Sequence, residues 1–137
     1  MKQLIILKGA SGSGKSTFAD FIKNGWWNSH EVSICCADDY FTKDGVYNFD
    51  VTKLSEAHSE CKANFNASID AEFPVIIVAN TNTNDWEYAY YTNIAKENGY
   101  KIFHIVIENR HGSKDIHGVP DGVKERQKEN LRKSLTL

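Results

Sequence analysis

The chain alternates between short apolar runs and longer helix-like segments. The apolar runs are rich in β-branched residues and nearly free of polar ones, which is typical of strands covered on both faces of a sheet. They predict strands over Gln3 to Leu7, Val32 to Cys36, Val75 to Ala79 and Lys101 to Ile107. The segments between and after them predict helices over Lys15 to Lys23, Val51 to Ala71, Trp86 to Asn98 and Asp121 to Ser134.

This alternation predicts an α/β fold in which βαβ units build a parallel sheet with helices on both faces. Two stretches, Asp38 to Asn48 and Asn109 to Val119, show no regular pattern. Irregular segments of that length in a small domain are usually functional. The 137 residues are enough for one hydrophobic core, so we expect a single domain spanning residues 1–137.

A P-loop is the clearest chemical motif, and it lies between the first predicted strand and the first predicted helix. The pattern G-x-x-x-x-G-K-[ST] is matched by Gly9, Gly14, Lys15 and Ser16. Glycines let the backbone N–H groups turn inward around an anion. Lys15 is then expected to reach the β- and γ-phosphates and the Ser16 hydroxyl to bind Mg²⁺. The predicted nucleotide-binding residues are Gly9, Ala10, Ser11, Gly12, Ser13, Gly14, Lys15, Ser16 and Thr17.

Two other readings of this loop are open. A glycine-rich turn that carries a lysine by chance would have the same composition. A dinucleotide-binding turn needs G-x-G-x-x-G and has no use for a Lys-Ser pair, so the spacing disfavours it.

Ligands of open α/β sheets gather where the strands end, and acidic residues follow the second predicted strand. Asp38 and Asp39 are suited to bind Mg²⁺ through water or to accept a proton from an attacking hydroxyl, although they also suit a solvated turn. Ala79 and Asn80 follow the third strand, where many P-loop proteins carry an aspartate that holds Mg²⁺. Metal binding is therefore expected from Ser16 and the Asp38/Asp39 pair.

The remaining polar residues at this edge are interpreted as substrate ligands. Predicted acceptor-binding residues are Asp38, Asp39, Tyr40, Asn80, Thr81 and Asn82. The asparagines would equally serve as an N-cap for the following helix.

A cationic loop over residues 109–119 follows the fourth strand and is expected to act as a short lid. Phosphoryl transfer places charge on phosphate oxygens, and a lid can bring cations over them. Arg110 is the first candidate because guanidinium grips phosphate with two parallel hydrogen bonds, Lys114 is the second and Arg126 the third. A solvated basic loop is the alternative.

Charge and composition narrow the class of protein. Residues 1–100 carry a net charge of −5 and residues 101–137 a net charge of +3, which is a modest excess for contact with a polyanion. No apolar run approaches the length of a membrane span of about 20 residues, and no signal-peptide pattern is visible, so we expect a cytoplasmic protein. The three cysteines and five histidines lack metal-ligand spacing.

Several motifs in order resemble the small P-loop kinases related to bacteriophage polynucleotide kinase. Besides the P-loop these are Ala37-Asp38-Asp39-Tyr40, Glu56-Ala57-His58, Asn80-Thr81-Asn82 with Trp86-Glu87, and Ile116-His117-Gly118-Val119-Pro120. The resemblance runs from Lys2 to Leu131. It implies a three-layer P-loop NTPase fold whose four strands have the order 2-3-1-4.

The resemblance also implies transfer of the γ-phosphoryl of ATP to a hydroxyl, typically the 5′-OH of a nucleic acid, with ATP and Mg²⁺ as cofactors. By position, Asp39 is expected to be the general base and Mg²⁺ neighbour, Lys15 and Ser16 the phosphate and metal ligands, and Arg110 or Lys114 the lid cation. The chain departs from this family at Thr42 and Lys43, where an arginine is usual. A kinase of a nucleoside, nucleotide or other small metabolite, and a catalytically weak ATP-binding module, are the alternatives.

Overall fold

The computed structural model describes residues 1–10, 13–26, 28–81 and 85–108. Four strands form one parallel sheet: β1 (Gln3–Lys8), β2 (Val32–Cys35), β5 (Val75–Val78) and β6 (Lys101–Val106). Two further strands, β3 (Thr42–Lys43) and β4 (Val46–Tyr47), pair as a small hairpin outside this sheet. The order across the main sheet is β2-β5-β1-β6, which confirms the predicted order 2-3-1-4.

Within the described residues, three helices cover the two faces of the sheet: α1 (Lys15–Gly25), α2 (Leu54–Asp70) and α3 (Asp85–Glu97). Even-numbered side chains of β1, such as Leu4 and Ile6, pack with Phe65 of α2 and Tyr91 of α3. Odd-numbered ones pack on the opposite face with Ala19 of α1. Alternation along one central strand thus produces two cores, and the predicted three-layer α/β arrangement is confirmed.

The stretch from Asp38 to Asn48 is more regular than the sequence analysis expected. A 3-10 helix spans Ala37–Phe41, and the hairpin of β3 and β4 follows directly. Asp44 and Gly45 both have positive φ, at 53° and 78°, as required in the two-residue turn of a tight hairpin. We define residues 37–41 as the acid turn.

The second helix begins later than predicted. Asp50 accepts a hydrogen bond from the Thr52 amide, and residues Val51–Lys53 form a 3-10 turn before α2 starts at Leu54. An aspartate at an N-cap satisfies an amide that has no partner inside the helix. The predicted helix from Asp121 to Ser134 and the predicted lid over 109–119 lie outside the described residues.

Strand β5 lies between β2 and β1 in the sheet. All four residues of β5 are buried, because strands flank it on both sides and helices cover both faces. Its carboxyl end therefore lies between the ends of β2 and β1, where the acid turn and the P-loop begin. In the part of the chain that the structure describes, no helix has the length and apolar character that a membrane crossing requires.

Candidate active site

The P-loop leads from β1 directly into α1, as predicted. Gly14 precedes the helix in a left-handed conformation, with φ of 100°, and no side chain caps the helix start. The first amides of an α-helix have no partner within the helix, and together with the helix dipole they favour an anion at that end. Of the predicted nucleotide-binding residues, Ser11 and Gly12 lie outside the described part of the chain.

Lys15 folds back onto the loop that precedes it. Its ammonium group donates to the carbonyl oxygens of Gly9 at 2.9 Å and of Ala10 at 3.0 Å, and its side chain is buried. Burial of an ammonium group is costly unless acceptors surround it, and these two carbonyls supply them. The positive charge is therefore held within the P-loop, where the sequence predicted a phosphate ligand.

Gly9 closes the other side of the loop by close packing. A Cβ atom at this position would lie 2.5 Å from the carbonyl oxygen of Ile107 and 2.5 Å from the hydroxyl of Ser13. Ser13 is itself buried, and its hydroxyl oxygen makes no hydrogen bond among the described atoms. The first glycine of the motif is therefore required by the space available.

The side chain of Ser16, which is expected to contact metal, is accessible. Ser16 and the predicted nucleotide ligand Thr17 lie in the first turn of α1, and both are exposed. Asp20 follows Ser16 by four residues, so both lie on the same side of the helix. No three metal-ligating side chains converge within residues 1–10, 13–26, 28–81 and 85–108. Mg²⁺ usually takes only one or two protein ligands besides water and phosphate, so a hydroxyl and nearby carboxylates fit this ion.

The charges of three other carboxylates act on Asp39 of the acid turn. Asp39 is exposed, but the atoms packed around it remove enough water to raise the pKa of its carboxyl group, and the charges of Asp38, Asp20 and Glu60 raise this pKa further. Asp20 belongs to α1 and Glu60 to α2, so both helices contribute to the environment of the turn. A carboxylate with a raised pKa is a better proton acceptor near neutral pH.

Other polar contacts anchor this turn to its surroundings. Tyr40 donates from its hydroxyl to Glu56 of α2 at 2.5 Å, and Tyr47 of the hairpin donates to Asp38 at 3.5 Å. Phe41 is buried and packs against Phe49 with ring centroids 5.1 Å apart. Tyr40, predicted to bind substrate, is thus bonded to helix α2 at the surface.

His58 also lies near this turn. Burial and the charge of Lys62 lower the pKa of its imidazole, while the charges of Glu87 and Asp38 oppose that shift. The imidazole therefore responds to charges of both the acid turn and α3.

The segment after β5 connects the acid turn with the P-loop. The Asn80 side chain accepts a hydrogen bond from the Ala37 amide at 2.7 Å, and the Thr81 carbonyl accepts one from the Gly9 amide at 3.1 Å. Asn80 is buried, and its hydrogen bonds run to protein groups. This placement differs from the open position expected of a substrate ligand, whereas Thr81 is partly exposed and Asn82 lies outside the described residues.

Several neighbours of the site were missed by the sequence analysis. Asp20 had a recognisable signal, since it is four residues beyond Ser16 on a predicted helix. Glu60 and Tyr47 had none, because their proximity to the acid turn depends on how α2 and the hairpin pack. The predicted lid cations Arg110 and Lys114, and also Arg126, lie outside the described residues.

Comparison with known proteins identifies the class. The fold is one that P-loop kinases share. A family model described as an AAA domain matches residues 4–112, and the chain belongs to that family. Human NEDD4-binding protein 2 is 33% identical over 99 residues, which are 72% of this chain, and the chain spans about 5% of the length of that relative.

Solved structures show the same fold at low sequence identity. The Pnkp1/Rnl/Hen1 complex aligns with a TM-score of 0.59 and 23% identity, over 99% of this chain and 40% of that chain. APS kinase CysC from Mycobacterium tuberculosis, solved as a cysteine-to-alanine mutant, aligns with a TM-score of 0.56 and 14% identity, over 98% of both chains. APE1195 aligns with a TM-score of 0.54 and 19% identity, over 97% of this chain and 73% of that chain. These likenesses confirm the predicted P-loop kinase fold.

Proposed function

We propose that this protein is an ATP-dependent kinase that transfers the γ-phosphoryl group to a hydroxyl, with the 5′-OH of a polynucleotide as the acceptor. The observation that carries the proposal is the junction at the carboxyl end of β5, where hydrogen bonds join the acid turn to one side and the P-loop to the other. A proton acceptor and a polyphosphate site are thereby held at neighbouring strand ends.

In this reaction the P-loop binds the phosphates and the acid turn accepts the proton. Amides of the P-loop and the ammonium of Lys15 hold the phosphates of ATP, and the hydroxyls of Ser16 and Thr17 lie in the adjacent helical turn. The acceptor oxygen bonds to the γ-phosphorus, the bond from that phosphorus to the bridging oxygen breaks, and ADP leaves. Asp39 takes the proton of the acceptor hydroxyl, which its raised pKa favours. Mg²⁺, held beside Ser16 and the acids, would neutralise charge on the phosphates.

The lid assignment agrees with where β6 ends. The Ile107 amide donates to the Lys8 carbonyl at 2.7 Å, and the Ile107 carbonyl lies against Gly9. Arg110 follows Ile107 by three residues in the sequence. This supports Arg110 as a cation for the transferred phosphoryl group, with Lys114 as the next candidate.

A small hydroxyl compound is the second candidate acceptor, because the described surroundings of Asp39 are acidic. Asp20, Asp38 and Glu60 all act on Asp39, and Thr42 stands three residues after it. A polyanion would be repelled by these carboxylates unless cations from elsewhere in the chain meet its phosphates, whereas a nucleoside or another neutral metabolite would not.

Labelled ATP tests these assignments directly. The protein is incubated with 5′-hydroxyl DNA, 5′-hydroxyl RNA, nucleosides and nucleotides, and label transfer is measured for each. Label on oligonucleotides supports the proposal, and label on nucleosides alone replaces the polynucleotide by a small acceptor. Asp39→Ala is expected to abolish transfer while leaving ATP binding intact, and Lys15→Ala to abolish ATP binding. Wild-type turnover in Asp39→Ala would instead indicate an ATP-binding module.

A further inference from the structure

Asn80 lies in a buried position between the acid turn and the core. Its carboxamide oxygen accepts from the Ala37 amide at 2.7 Å, and its nitrogen donates to the hydroxyl of Tyr91 at 3.4 Å. The nitrogen also lies 3.5 Å from the sulfur of Cys61. An amide N–H can only donate, so the bond from Ala37 fixes which end of the carboxamide faces the acid turn.

The bond to Ala37 satisfies the first amide of the 3-10 helix from outside that helix. Ala37 begins the 3-10 helix of the acid turn, and Cys36 at the N-cap position makes no side-chain cap bond. Ala37 is buried, so its amide would be costly to leave without an acceptor. Asn80, 43 residues away along the chain, supplies that acceptor across the sheet.

The same segment also holds the P-loop. Immediately after Asn80, the Thr81 carbonyl accepts from the Gly9 amide at 3.1 Å. Asn80 thus bonds to the first residue of the acid turn, and Thr81 bonds to the first residue of the P-loop. Because β5 lies between β2 and β1, its end is the point from which both can be reached.

We infer that Asn80 is a positioning residue that sets the acid turn, and with it Asp39, against the P-loop. The expected effect on kcat rests on the proposed phosphoryl transfer. The expected effect on the Ala37 hydrogen bond does not depend on that proposal. Asn80 acts through the Ala37 amide and does not touch the reacting atoms. The position where an aspartate holds Mg²⁺ in many P-loop proteins serves here to fix the geometry of the neighbouring turn.

Amide hydrogen exchange at Ala37, followed by NMR, is the direct test. Asn80→Ala removes the acceptor and is expected to reduce protection of the Ala37 amide by roughly 5- to 100-fold, the loss expected for a buried hydrogen bond. Asn80→Asp retains an oxygen at the same distance and is expected to preserve the protection. Tyr91→Phe removes the contact on the other side of the carboxamide and serves as the matched control.

Kinetics with the full chain separate positioning from general destabilisation. Asn80→Ala is expected to lower kcat by roughly 10- to 100-fold, because small misplacement of a reacting group has effects of this order, with KM for ATP changed less than about twofold. Asn80→Asp should recover most of kcat, and Tyr91→Phe should keep it.

Defined results would overturn the inference. Wild-type protection of the Ala37 amide in Asn80→Ala would remove its basis, and equal losses of kcat in Asn80→Ala and Tyr91→Phe would show a merely structural role. If Asn80→Ala does not fold, Asn80→Ser carries the same test, since its shorter side chain cannot reach Ala37. If the wild-type protein transfers no phosphoryl group, the proposed function fails while the exchange measurement still decides whether Asn80 holds the acid turn.

Discussion

Replacing Gly9 by alanine tests whether the P-loop is closed by packing. The new Cβ would lie 2.5 Å from the Ile107 carbonyl oxygen and 2.5 Å from the Ser13 hydroxyl. Ordinary contacts to carbon lie at about 3.5 Å, so the backbone of β1 or of Ile107 must move by about 1 Å. Ile107 cannot withdraw easily, because its amide is bonded to Lys8 at 2.7 Å.

The cost follows from this clash. Forcing an extra methyl group into a packed site typically costs about 1–3 kcal/mol of unfolding free energy. For a chain of this size we expect the Tm of Gly9→Ala to fall by roughly 3 to 12 °C. Displacement of Gly9 also moves the first amide and carbonyl of the loop, so the Kd for ATP should rise by at least about tenfold. Thermal unfolding and nucleotide titration measure the two effects on the same sample.

Gly25→Ala is the matched control for this prediction. Gly25 is the last residue of α1, and a Cβ there would meet nothing within 4 Å. Alanine is preferred over glycine in helices by about 0.5–1 kcal/mol, so the Tm of this variant should stay the same or rise. If Gly9→Ala unfolded and bound ATP like the wild type, the steric account of the loop would be wrong.

Two further predictions concern charge at the site. Asp39→Asn should raise the Tm at pH 7, because the pKa of Asp39 is raised on folding and its charged form therefore destabilises the native state. The difference should shrink as the pH falls through the raised pKa and vanish below the ordinary carboxyl value of about 3.9; a Tm gain that persists at pH 3 would contradict this cause. Arg110→Ala should lower kcat more than it raises KM for ATP, since a lid cation acts mainly in the transition state, and steady-state kinetics decide this. Unchanged kcat would move that role to Lys114 or Arg126.

The main sheet was predictable because the apolar runs of its strands are compatible with few other structures. Near-continuous apolar runs such as Val75–Val78 fit only positions covered on both faces, and their observed bounds differ from the prediction by a residue. The small hairpin was missed although Asp44-Gly45 is a typical hairpin turn. Its strands have two residues each, too short to show an alternating pattern. The turn therefore had a local signal in the sequence that was overlooked, whereas the pairing around it had none.

The site was predictable only where its residues are adjacent in sequence. The P-loop and the Asp38/Asp39 pair each form one uninterrupted motif, and both lie at strand ends as expected. The role of Asn80 depends on a partner 43 residues away, and an asparagine after a strand suits a substrate ligand equally well. Only the register of β5 against β2, which pairs Val78 with Cys35, brings Asn80 to the acid turn.

The sheet order explains how this site can function with an uncharged residue at the end of β5. An aspartate at Asn80 would place a further carboxylate beside Asp38 and Asp39, within a region where Asp20 and Glu60 already raise the pKa of Asp39. Asparagine keeps the acceptor oxygen for Ala37 without adding that charge, and its nitrogen donates to Tyr91. In the proposed function, metal binding is assigned to exposed groups, Ser16 and Asp39, and the buried Asn80 is left to hold the acid turn. The polar side chain at the buried position after β5 is thus neutral and hydrogen-bonded, which avoids the cost of burying a charge there.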